Sequence, residues 1–72
     1  MSAALRTDVI GVRGMQCGGC ERTVSLALMA LPGLHTARAD FVAEEVEVTF
    51  EPDLVGPAAM RAAVHDAGFT SP

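Results

Sequence analysis

Two cysteines, Cys17 and Cys20, are the only ones in the chain, and they stand three positions apart in Gly14-Met15-Gln16-Cys17-Gly18-Gly19-Cys20. A thiolate is a strong ligand for soft cations, but at neutral pH it forms readily only where something stabilises its charge. A helix start does so, through unpaired N–H groups and the positive end of the helix dipole. A strand-like run precedes the pair and a helix-like run follows, so Cys20 falls at or near that start with Cys17 just before it. Gly18-Gly19 is expected to let the backbone bend around both sulfurs without Cβ clashes. Two thiolates with no third ligand suit Cu(I), which accepts low coordination by sulfur, whereas Zn(II) prefers four ligands. An under-coordinated ion also leaves room for a partner's thiolate, so it can be handed over by ligand exchange.

A lone CxxC admits other readings. Thioredoxin-type redox chemistry uses the same spacing but normally on a longer βαβ-rich domain. A structural zinc site would need His35 and His65 as further ligands, at spacings that fit no standard finger. Both histidines read more simply as solvent-exposed, with His65 the one conceivable extra ligand. A passive buried pair or a disulfide sits poorly with a loop flanked by glycines.

The elements that must hold this loop follow from hydrophobic periodicity. Thr7 to Arg13 reads as a strand with Ile10 and Val12 inward and Val9 left on the outer face. Cys20 to Leu31 reads as a helix, with Val24, Leu28 and Leu31 on one face, stopped by Pro32-Gly33. Leu34 to Phe41 and Val46 to Phe50 alternate as two further strands. They most simply form an antiparallel hairpin with one wet face, and the Val42–Glu45 connector lacks the Gly or Asn that would reveal its turn type. Pro57 opens a second helix with Met60, Ala63, Val64 and Ala67 inward, and Gly68 closes it. A fourth strand could hold only two or three residues. The expected core is Ile10, Val12, Val24, Leu28, Leu31, Phe41, Val46, Val48, Phe50, Met60 and Val64. The order β-α-β-β-α with a stub of β predicts an α+β, ferredoxin-like βαββαβ sandwich. Two helices lie on one face of an antiparallel sheet, and the fourth strand is short or vestigial.

Seventy-two residues make one domain, with its core over roughly residues 7–70. Net charge is −4, and all five basic residues are scattered arginines, which excludes a nucleic-acid stripe. Six of the nine acids lie between Asp40 and Asp53, as a solvated face or as a docking patch for a basic partner. No stretch is apolar enough to span a bilayer, and Met1 to Asp8 lacks the apolar core of a signal peptide. The expected location is therefore the cytoplasm, where thiols stay reduced.

From Val9 to Phe69 the chain resembles the heavy-metal-associated domain family of copper chaperones and N-terminal domains of metal-transporting P-type ATPases. The resemblance rests on GMxCxxC at Gly14–Cys20, Leu31-Pro32-Gly33-Leu34, Val46-Glu47-Val48 and Ala67-Gly68-Phe69. It implies that Cys17 and Cys20 are the metal ligands and that Met15 packs beneath the loop. It implies, too, that Phe69 lies near the ion. Phe at that position resembles the ATPase domains more than the chaperones, whereas the free-standing chain points to a chaperone. Gln16 is not the Asp of the Zn(II)-selective relatives, which keeps copper favoured. The implied fold gathers the cysteine loop, the 42–45 connector and the Gly68 loop at one end, with Glu44, Glu45, Arg13 and Arg22 as a mixed rim.

The expected function is thus non-enzymatic: binding of Cu(I), with Zn(II), Cd(II) and Hg(II) as alternatives, and transfer to a copper-transporting P-type ATPase or another thiolate acceptor. The alternatives are a soluble domain of such an ATPase and a small dithiol redox protein. The chain is expected to be a monomer without nucleic-acid or membrane contacts, with a metal-bridged dimer as the other option. The short fourth strand leaves an open sheet edge that could invite pairing.

Overall fold

The computed structural model describes residues 4–71. Strand β1 (Arg6–Gly11) leads to helix α1 (Gly18–Met29), the hairpin strands β2 (Leu34–Asp40) and β3 (Glu45–Phe50), and helix α2 (Pro57–Asp66). The sheet order is β1-β3-β2, both pairings antiparallel. This is the expected ferredoxin-like arrangement, and the fourth strand is reduced to one bridge, Arg13 with Thr70. Among the described residues no helix is long and apolar enough to cross a membrane.

Alternation within the strands makes the core. Val46, Val48 and Phe50 of β3 point inward, against Val24 and Leu28 of α1 and Met60 and Val64 of α2. Val9 falls on the outer face and is 51% exposed. Met15, Leu34 and Val55 join the core beyond the residues expected from periodicity, and Leu31 packs only partly against it.

Phe41 corrects the expected core, being 36% exposed. The strand ends one residue before it, because the Asp40 carboxylate accepts the backbone N–H groups of Val42 and Ala43 and starts the turn. The connector then closes through Glu44, whose φ of 56° is left-handed without a glycine to signal it. Other boundaries also move: α1 ends at Met29, ahead of Leu31, and β3 begins at Glu45, ahead of Val46. β1 starts at Arg6 and stops at Gly11, since Arg13 pairs with Thr70 instead of β3. α1 starts at Gly18 because Cys17 is extended, at φ −163°, and its carbonyl accepts the Cys20 and Glu21 N–H groups.

Candidate metal centre

The cysteine loop joins the end of β1 to the start of α1. Its sharp bend is at Gly14, where φ is +103° and a Cβ would lie 3.5 Å from Phe69 Cδ1. Gly18 and Gly19, expected to supply that bend, instead lie within the first turn of α1 with no left-handed φ. Met15, next to the bend, is 6% exposed and belongs to the core. It anchors the loop from below, as a flexible side chain filling an irregular gap. Met15→Ala should cost about 2–4 kcal/mol of folding free energy. Met15→Leu should keep both stability and metal stoichiometry, as read by urea unfolding and metal titration.

Cys17 occupies the N-cap of α1 with no side-chain cap hydrogen bond, and it is exposed; Cys20 is half-buried and packs partly against the core. The two sulfurs are 3.8 Å apart, and both are free thiols. The Cys17 thiol lies below the usual thiol range. The Cys20 backbone N–H contributes most, then the Gly19 N–H, then the Cys20 thiol, against opposing effects of desolvation and the Glu21 charge. These donors are the open N–H groups of a helix start, which favour an anion.

A depressed acid stabilises the fold at pH above the ordinary thiol value and loses that contribution as pH falls through the lowered one. Between the two values, Cys17 is a thiolate while an ordinary thiol is protonated. Iodoacetamide should therefore modify Cys17 in the metal-free, folded chain faster than in urea throughout that window. Equal rates would contradict the assignment, with mass mapping of the modified residue as the readout.

Three segments meet at this end. The Phe41 N–H donates to Glu21 Oε2 at 2.9 Å, tying the hairpin connector to the first turn of α1. The Val12 N–H donates to the Glu44 carbonyl at 2.9 Å, tying the connector to β1. At the end of α2, the Gly68 N–H reaches the His65 carbonyl and the Phe69 N–H the Val64 carbonyl, a Schellman closure. The chain then turns back so that Phe69 packs over Gly14. Arg13, Arg22, Glu44 and Glu45 are exposed. Sequence periodicity gave no hint of the Glu21 clamp, because its partner is a backbone N–H twenty residues away.

The histidines do not join. His35 Nε2 lies 3.4 Å from Glu51 Oε2, at the start of β2, and His65 is exposed in the last turn of α2. Among the described residues no three of His, Cys, Asp and Glu are grouped so as to hold a metal ion. The arrangement is a pair of sulfurs, open to solvent on the Cys17 side.

The sequence profile of the heavy-metal-associated domain matches residues 9–70. The copper chaperone CopZ of Staphylococcus saprophyticus is 37% identical over 65 residues, covering 90% of this chain and 96% of that protein. The copper-transporting ATPase RAN1 of Arabidopsis thaliana is 36% identical over 67 residues, covering 93% of this chain but only 7% of that protein. A crystal structure of a copper binding domain from HMA7, a P-type ATPase, superposes with a TM-score of 0.90 at 33% identity, covering 93% of this chain and 90% of the other. The profile match over most of the chain, together with the near full-length match to CopZ, shows that the chain belongs to the heavy-metal-associated domain family.

Proposed function

We propose that the chain binds one Cu(I) between Cys17 Sγ and Cys20 Sγ and delivers it, by thiolate exchange, to an acceptor in a copper-transporting P-type ATPase. The observation carrying this is the sulfur pair itself: 3.8 Å apart, at a helix start, with no third ligand gathered beside it among the described residues. Two soft donors and an open coordination sphere suit Cu(I) and leave Zn(II) short of ligands. An incoming thiolate bonds to the ion first. One Cys–Cu bond then breaks, and that sulfur takes up a proton or stays a thiolate at the helix start. Cys17 is the more accessible sulfur, so it meets the acceptor, while Cys20 holds the ion from the core side. No bond of the cargo is turned over, so the activity is carriage, in a reducing compartment such as the cytoplasm.

Titration of the reduced, anaerobic protein against a chromophoric Cu(I) competitor tests this. One equivalent should bind, with Zn(II) unable to displace it at equal concentration. Zn(II) preference would sink the proposal. A second reading, a soluble domain working within a copper ATPase, is favoured by Phe69 over Gly14 and by the likeness to the HMA7 domain. Both readings use the same sulfur pair, and differ in whether the acceptor lies on another chain.

A further inference from the structure

We infer that β1 is a self-complementary sheet edge, through which two copies of the chain pair antiparallel about a two-fold axis at Thr7, without metal. Among the described residues only the Arg13 end of this edge is covered. The Arg13 N–H and carbonyl both bond to Thr70, and the Ser71 hydroxyl donates to the Gly11 carbonyl. Val12, in contrast, donates toward β3. Alternation therefore turns the backbone groups of Thr7 and Val9 away from β3, towards the outer edge. Among the described residues no strand pairs with them there. The Val9 N–H instead takes the Asp8 carboxylate of its own strand, at 3.1 Å.

An open edge is a template for another strand, and the side chains say which one. With Thr7 opposite Thr7, Arg6 of each copy faces Asp8 of the other, twice by symmetry. Leu5 then faces Val9, also twice. Leu5 and Val9 are each 51% exposed, and these contacts cover both. Threonine pairs, opposite charges and apolar pairs are the favourable cross-strand combinations. Sliding the register by two residues places Asp8 opposite Asp8 or Arg6 opposite Arg6, so only one register alternates charge. In it about six backbone hydrogen bonds form, and Asp8 releases the Val9 N–H to the facing Leu5 carbonyl. The paired strands run in opposite directions, and each Gly11 lies about 13 Å from the axis. The two cysteine loops point apart, so this dimer is distinct from one bridged by metal.

Sedimentation equilibrium of the reduced, metal-free 72-residue chain, from about 10 μM to about 1 mM, tests it. A reversible monomer–dimer equilibrium is expected. Arg6→Asp alone and Asp8→Arg alone should each weaken it by about tenfold or more, because each sets like charges opposite at both symmetric positions. The double variant should return it to within about threefold of the original. Amide exchange at Thr7 and Val9 of the unaltered chain should slow as concentration rises. A chain monomeric throughout, a dimer indifferent to both single reversals, a dimer lost in Cys17→Ser, or concentration-independent exchange at both amides would overturn the inference.

Discussion

Serine at position 17 is expected to strengthen the fold while destroying the binding site. Cys17 is the N-cap of α1, yet its side chain makes no capping hydrogen bond. Serine is among the preferred N-cap residues, because its oxygen accepts an N–H of the first turn. Cys17→Ser should therefore gain about 0.5–1 kcal/mol of stability at a pH low enough to keep Cys17 protonated, where the thiol leaves the cap open. The hydroxyl, however, is a hard donor that stays protonated at neutral pH and holds Cu(I) poorly. Loss of a group that merely orients a ligand already costs 10–100-fold in metal affinity, so loss of one of two ligands should exceed about 100-fold. Cys20→Ser should lose affinity as steeply, with no capping gain and a small packing loss, since Cys20 touches the core. Urea unfolding and competitor titration, run on the same samples, separate the two effects. Unchanged affinity in either variant would remove that sulfur from the ligand set.

Gly33→Ala should be among the most damaging single-methyl additions in the chain. Gly33 has a φ of +91°, and a Cβ there would stand 2.8 Å from Leu54 Cβ and 3.3 Å from Val55 Cγ1. The neighbours cannot withdraw freely. Val55 is buried, and the Glu51 N–H donates to the Gly33 carbonyl at 2.8 Å, clamping the segment after β3 onto this turn. Left-handed strain of about 1–2 kcal/mol adds to overpacking of about 1–3 kcal/mol. The expected loss is about 2–5 kcal/mol, a large part of what a small domain has. Tm should fall by roughly 10–40 °C. Gly18→Ala is the control, because its nearest neighbour would be Glu21 Oε1 at 4.0 Å and no left-handed φ is involved. It should unfold within about 1 kcal/mol of the parent. A Gly33→Ala protein as stable as that control would show that the 51–55 segment yields.

The sheet, both helices and most of the core were legible in the sequence because each rests on a period of two or about 3.6 residues. Val46, Val48 and Phe50 alternate, and Val24 and Leu28 recur one turn apart. The sulfur pair was legible because the strand period before it and the helix period after it place it at a strand-to-helix junction. What stayed hidden depends on single contacts between distant segments. Phe41 looked like the next inward residue of β2, but Asp40 captures two N–H groups and ends the strand first. Leu34 enters the core because a bulge between Leu34 and Thr36 shifts the alternation of β2, and Val55 enters it just after a turn, where periodicity has no purchase. The glycines of the CxxC suggest the bend, whereas Gly14 supplies it and the helix simply begins at Gly18. Glu44 shows the same limit, since a left-handed Glu leaves no trace in composition.

X-ray absorption at the copper edge of the Cu(I)-loaded monomer tests the central claim most directly. Two sulfur scatterers and no nitrogen or oxygen are expected in the first shell, with the sulfur signal reduced in Cys17→Ser. A histidine or carboxylate donor in that shell, or a spectrum indifferent to the substitution, would contradict binding by Cys17 and Cys20 as a pair.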